Sequence, residues 1–357
     1  MKTKRYRAFQ LLIDSEIPLA GFPASREEGL ADLHVRLGGL GPAPQAGVPW
    51  TVSETEIIVW MTDVGAFCAR EGREIIVDPG EDAANPYLGL AVRGTMLAAI
   101  MLQRGCFPLH ASCVESSLGA VLLVGPVGVG KSTLAALLNS QCFRLVCDDL
   151  AVLQNLKGKA EVMATVPELA LSVQGLRAFE VAPEQWGEPV VAGVPKFRVG
   201  WTNWCPNNQK PRAIVFLNQS HDAELELLPL VQSAALLSLG RSLYRVRFLA
   251  HLPGLHGALR QTLETLVRGA SSYTLTYPSD LARSPEACEL LLEQLKTLKP
   301  TPQVHWSQQL PLPQFSLSPE KTARPDSSSI AGMALLASYP KSGNTWVRSL
   351  LSSWEQE

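Results

Sequence analysis

Apolar and polar positions along the 357-residue chain follow one period near the N-terminus and others further on. Leu33, Val35 and Leu37 alternate with His34 and Arg36, the period-2 pattern of a half-buried strand. Residues 66–70 and 73–77, joined by Glu71-Gly72, predict a β-hairpin with a two-residue turn. The stretch 38–49 (GGLGPAPQAGVP) reads as a Gly/Pro-rich loop. From residue 88 the pattern becomes α/β. Residues 88–102 are apolar except for polar interruptions such as Arg93; the run is shorter than the ~20 residues of a membrane span and stops at Gly105, so a buried helix is predicted. An apolar strand over 120–124, a Gly-rich turn and a helix from Lys131 to about Asn139 come next. A second strand, 143–147, ends in Asp148-Asp149, and 150–153 continues as strand. Residues 213–217 form another buried strand, and helical patterns lie near 230–239, 254–268 and 285–298.

Composition narrows the class. With 46% hydrophobic and 18% charged residues the chain is globular rather than disordered. A formal net charge of -2 argues against a dedicated nucleic-acid binder. The seven cysteines are scattered, without a Cys-x-x-Cys pair, so neither a disulfide framework nor a zinc site is expected and a cytoplasmic location is favoured. No membrane partner is expected. Between 299 and 329 six prolines and the run Ser327-Ser328-Ser329 predict a semi-extended linker.

The strongest chemical signal is Gly125-Pro126-Val127-Gly128-Val129-Gly130-Lys131-Ser132, a G-x-x-x-x-G-K-[ST] match between an apolar strand and an amphipathic helix. Gly125, Gly128 and Gly130 let backbone N–H groups turn around an anion, and the helix that follows points its positive end at it. Lys131 would reach the β/γ-phosphates of ATP, and the Ser132 hydroxyl would ligate Mg2+. Asp148-Asp149 ends the next strand, which in a parallel sheet lies on the same edge as the loop. One carboxylate can hold magnesium through water and the other can accept a proton from an attacking hydroxyl. His110, ten residues before the strand that feeds the loop, is a further candidate; the remaining histidines show no metal-ligand spacing. Lys196, in VPKFR, is a candidate for phosphate or substrate contact. The segment after residue 217 (NQSHD) lacks the Asn-Lys-x-Asp that reads guanine, and no ABC-type signature occurs.

Residues 103–114 (QRGCFPLHASCV), 122–133 and 143–150 (FRLVCDDL), with looser support from 211–217 (PRAIVFL), resemble the HPr kinase/phosphorylase family, in particular its members encoded beside lasso-type peptide biosynthetic genes. The resemblance covers about residues 5–298. It implies an α/β P-loop fold like the HPr kinase C-terminal domain (88–298) behind a strand-rich N-terminal part (1–87). It implies ATP- and magnesium-dependent phosphorylation of a serine on a protein or peptide, such as a ribosomally made precursor. It would place the catalytic base at Asp148, magnesium contacts at Ser132 and Asp149, His110 near the transferred phosphate, and Thr133 beside the nucleotide; homo-oligomers are open. Thr133 stands where HPr kinases carry an acidic residue, and their later Gly-rich signature is missing, so neither phosphorylase activity nor HPr as acceptor is carried over. A non-catalytic ATP-binding regulatory module is a rival reading.

Residues 338–346 (SYPKSGNTW), after the apolar 333–337, resemble the 5′-phosphosulfate-binding loop of PAPS-dependent sulfotransferases. Only 11 residues follow Trp346, against the ~100 of a typical domain. The expectation is a truncated or vestigial sulfotransferase-like strand–loop–helix over 330–357 that neither binds PAPS nor transfers sulfate. A bifunctional kinase–sulfotransferase seen in part is the third reading.

Overall fold

The computed structural model describes residues 3–43, 49–141, 143–182, 186–187, 189–190, 195–220, 224–278 and 284–298. The linker expected at 299–329 and the strand–loop–helix expected at 330–357 lie outside the described residues.

Seven strands come first: β1 (Lys4–Ala8), β2 (Leu11–Ser15), β3 (Leu33–Leu37), β4 (Trp50–Val52), β5 (Glu56–Met61), β6 (Gly65–Arg70) and β7 (Glu74–Asp78). They form one mixed sheet in the order β1-β2-β3-β7-β6-β5-β4. The hairpin expected at 66–77 is β6–β7, with Glu71 and Gly72 both at positive φ and Arg73 N–H closing the turn on Arg70 O. The helix expected over 88–102 is α1 (Tyr87–Ala91), a π-helical turn (Val92–Met96) and α2 (Leu97–Gln103). The extra residue per turn falls around Arg93, and single π turns of this kind often mark working parts of a protein.

Then follow β8 (Phe107–Leu109), β9 (Ala111–Ser116), β10 (Gly119–Val124), α3 (Lys131–Ser140), β11 (Arg144–Cys147), β12 (Ala151–Leu156), β13 (Lys159–Val162), β14 (Glu168–Ser172), α4 (Val173–Ala178) and β15 (Lys196–Gly200). The described C-terminal part holds β16 (Pro211–Ser220), β17 (Glu226–Pro229), α5 (Gln232–Arg241), α6 (Val246–Leu249), α7 (His256–Gly269), β18 (Ser271–Pro278) and α8 (Ser284–Thr297). The second large sheet runs β11-β9-β10-β16-β18-β17, with β10, β16 and β18 mutually parallel.

The unbroken apolar runs of β10 and β16 have a plain cause. Ala120, Leu122, Val124, Ile214 and Phe216 face one core, and Val121, Leu123, Ala213, Val215 and Leu217 face another, on the opposite side of the sheet. A strand covered on both faces has no polar side to alternate with. The first core is shared with the N-terminal sheet and with α2, so apolar packing is continuous across the boundary expected at residue 87. On α7, Leu259, Leu263, Leu266 and Val267 form the buried stripe of an amphipathic helix. No helix among the described residues is long and apolar enough to cross a membrane.

The Asp148-Asp149 strand, β11, is not the parallel neighbour of β10; antiparallel β9 lies between them. Because both flank the same antiparallel strand, β10 and β11 still run in one direction and end at one edge. The sequence around Pro108–Ser112 carries too few residues of clean alternation to predict β8 and β9.

Candidate active site

The site is built where two strand pairs change sheets side by side. β8 pairs with β12 in a three-stranded sheet, whereas their chain neighbours β9 and β11 pair in the six-stranded one. The first chain crosses between sheets at His110 and the second at Asp148–Leu150. Residues 39 apart in sequence are therefore brought together: His110 Nδ1 lies 3.1 Å from the Asp149 backbone oxygen. A carbonyl can only accept, so Nδ1 carries the proton of the neutral ring. The second crossing is sharp. Asp149 has φ 67° and Leu150 N–H donates to Asp148 O at 2.8 Å. A left-handed, non-glycine residue of this kind is tolerated best by Asp or Asn.

Across the edge, β10 delivers the loop. Gly125 ends the strand, Gly128 has φ 85°, and Gly130 caps α3 with φ 91°. A Cβ on Gly130 would stand 2.7 Å from the Tyr277 hydroxyl, which itself donates to Val129 O. Only glycine meets both demands. Lys131 Nζ folds back and donates to Gly125 O at 2.8 Å and Pro126 O at 2.9 Å, so the loop's own carbonyls hold the ammonium. Burial lowers the Lys131 pKa to about 8, with Asp149 acting in the opposite direction. Ser132 and Thr133 follow in the first turn of α3.

The two carboxylates have different surroundings. Asp148 Oδ1 accepts from Ser112 Oγ at 2.5 Å and from Ser132 Oγ at 3.0 Å, and Oδ2 accepts from Ala170 N–H at 2.8 Å. Three donors from β9, α3 and β14 thus fix its orientation. Asp149 instead faces His110, whose Nδ1 is 3.5 Å from its Oδ1. Burial would push the Asp149 carboxyl up, but Lys196, His110, Arg198 and Lys131 outweigh it and hold the group well below the usual carboxylate range. Burial also lowers the His110 pKa, against the pull of Asp149, so the imidazole is neutral at pH 7.

All the residues expected from the sequence therefore meet at one edge: the loop glycines, Lys131, Ser132, Thr133, Asp148, Asp149 and His110, with Lys196 close enough to act on Asp149. Ser132 bonds Asp148, whereas the resemblance implied magnesium contacts at Ser132 and Asp149. Three contributors escaped sequence reasoning. Ser112 sits in the LHAS segment but had no visible partner. Ala170 acts through its backbone, which no side-chain pattern reveals. Arg198 stands two residues after Lys196 on the same face of β15, a period-2 signal that was available in KFR.

No protein-family model and no curated protein matches the sequence. Among solved structures, the chain is similar to the HPr(Ser) kinase/phosphatase from Coxiella burnetii at 12% identity and a TM-score of 0.26, over 53% of this chain and 95% of that one.

Proposed function

We propose that the protein is an ATP- and magnesium-dependent kinase that phosphorylates a hydroxyl, most simply a serine of a peptide or protein. The observation that carries this reading is the meeting of Lys131, Ser132 and Asp148 with Asp149 and His110 at one sheet edge, beside the glycine-containing loop that opens α3. Phosphoryl transfer asks chiefly for positioning and charge neutralisation, and this edge supplies both. In this reading Lys131 leaves its own loop carbonyls for the phosphates. Lys196 neutralises charge from the far side of Asp149.

The residues present fit magnesium. Ser132 and Asp148 are hard oxygen donors 3.0 Å apart, and the described residues contain no group of three or more His, Cys, Asp or Glu side chains arranged around a metal. Magnesium in phosphate-processing sites takes few protein ligands and keeps most of its shell for water and phosphate. Ser132 would hold it directly and Asp148 through water. When bound, the ion neutralises charge on the phosphate oxygens. Asp149 then serves as the proton acceptor for the attacking hydroxyl, with His110 holding its backbone carbonyl and thereby the left-handed turn.

The test is incubation with γ-labelled ATP, magnesium and serine-containing peptides. Label on the peptide that disappears in Lys131→Ala is the expected result. Tight ATP binding with neither transfer nor hydrolysis would instead establish a non-catalytic nucleotide module.

A further inference from the structure

Beside the two aspartates lies a partly open cavity of about 80 Å³. Asp148 and Asp149 are among the residues that line it. Phe9 and Phe22 from the N-terminal part give it an apolar wall, and Arg93, Thr165, Glu168 and Arg198 give it polar groups. Three observations set its chemistry.

The first is that the Arg93–Glu168 pair is internally satisfied. Arg93 Nη2 contacts Glu168 Oε2 at 2.5 Å, its Nη1 donates to Ala20 O, and the guanidinium lies 4.9 Å from the centre of the Phe22 ring. Gly21, at φ 77°, packs so closely on this pair that a Cβ there would strike both side chains. The pair thus fastens the N-terminal part against β14 and contributes no net charge.

The second is that Arg198 has no such partner. It makes no ion pair among the described residues, and its Nε is buried without an acceptor. The third is Thr165, 4% exposed, whose hydroxyl is likewise buried and unpaired. Buried donors left without partners are uncommon and costly, and where they line a cavity a ligand is the natural acceptor. The cavity thus combines carboxylates with a guanidinium nitrogen and a hydroxyl that lack hydrogen-bond acceptors.

We propose that this cavity is the acceptor site of the kinase described above, and that it takes a compound whose reacting hydroxyl stands a few bonds from an anionic oxygen group, a carboxylate or a phosphate. The proposal rests on the kinase reading. Arg198 and Thr165 hold the anionic group while the hydroxyl meets Asp149. The hydroxyl oxygen forms a bond to the γ-phosphorus, the bond from that phosphorus to the β,γ-bridging oxygen breaks, the proton passes to Asp149, and ADP leaves. The small volume limits the acceptor to a small molecule or the tip of a larger one.

Two matched pairs test this with the whole protein, ATP and magnesium: N-acetyl-L-serine against N-acetyl-L-serinamide, and glycerol 3-phosphate against glycerol. The charged member of at least one pair should be phosphorylated about tenfold or more faster than its neutral partner, the scale of one charge-assisted hydrogen bond. The pair that shows it tells carboxylate from phosphate. In Arg198→Gln the ratio should fall to within about threefold, and Thr165→Val should lower it less. A ratio within one sample is unaffected by a poorly folded fraction. Equal rates within both pairs, or an Arg198→Gln ratio as high as that of the parent, would overturn the proposal. So would transfer to none of the four compounds while ATP turnover dependent on Lys131 is present. Absence of any ATP turnover or binding would instead remove the kinase reading, and the acceptor assignment with it.

Discussion

The two ends of this site are built in opposite ways. The loop end is local: Gly125 to Thr133 form one strand–loop–helix turn, and even the Lys131 ammonium rests on carbonyls five and six residues away. The cavity end is assembled from Phe9, Phe22, Arg93, Thr165, Glu168 and Arg198, which arrive from the connections after β1 and β2, a π-helical turn, the segment leading into β14 and the antiparallel β14–β15 pair. Asp148 and Asp149 form the seam. A local device carries its instructions in consecutive residues and can be recognised in isolation. A non-local one has no motif and can vary, residue by residue, with what it must bind.

The sharpest way to break this comparison is at the seam. Asp149→Asn is expected to lower kcat by about 10²–10⁴-fold, the usual range for a lost acid–base group, at an unchanged magnesium requirement. Asp148→Asn should instead raise the magnesium concentration needed for half-maximal rate, because the negative charge beside Ser132 is lost while its hydrogen-bond acceptor is kept. Magnesium titrations of the two variants decide between these assignments, and the opposite pattern would restore the order expected from the sequence.

Next comes the local end. Lys131→Ala should reduce turnover by about 10²–10³-fold, comparable to removal of one preorganised donor facing developing charge, and steady-state ATP turnover reads it. The cavity end should respond in stability instead. Glu168→Gln leaves the Arg93 guanidinium buried without its counter-charge, with a cost of about 3–5 kcal/mol for breaking a buried pair. Burial already lowers the Arg93 pKa to about 10, so the charge has little solvent to fall back on. Denaturant unfolding measures it; a loss below 1 kcal/mol would mean that the N-terminal part is not fastened there.

Gly130→Ala combines a strained φ with a contact against Tyr277 and should cost about 1–3 kcal/mol. Removing the hydroxyl in Tyr277→Phe should recover part of that loss, so the two changes should not add. The melting temperatures of the two single variants and the double variant give the coupling.

The smallest effect is a proton. With its folded pKa lowered to about 8, Lys131 binds fewer protons in the folded protein than in the unfolded chain between about pH 8 and the ordinary lysine range near 10.5. Stability from this group therefore rises with pH across that window. A bound phosphate anion favours the charged ammonium, so ATP binding near pH 8.5 should take up part of one proton. Calorimetry in two buffers of different ionisation enthalpy detects it; proton release would contradict the burial of Lys131.

Much of the fold was readable without coordinates, and the reasons are local. The G-x-x-x-x-G-K-S turn, the apolar strands at 120–124 and 213–217, the hairpin over 66–77 and the helix over 88–102 each announce themselves within a dozen residues. Boundaries shifted by a few positions at most, as with β16, which extends from 211 to 220. What could not be read was adjacency. Residues 150–153 do continue as strand, but in a different sheet, because the left-handed Asp149 turns the chain away. Nothing in the order of residues says that His110 crosses between sheets beside that turn, or that antiparallel β9 separates the two aspartates' strand from the loop's strand.

The amino-acid sequence by itself determined that this chain carries a glycine-containing strand–loop–helix turn with a lysine and a hydroxyl, and two acidic residues at a strand end, since glycine's freedom, the β period and helix initiation act over a few neighbouring residues. Only the tertiary structure decided which aspartate meets Ser132, which faces His110, and that Arg198 and Thr165 share a cavity with them. Those outcomes depend on how two sheets exchange strands and on which side chains are left unpaired once the cores on both faces of β10 have closed.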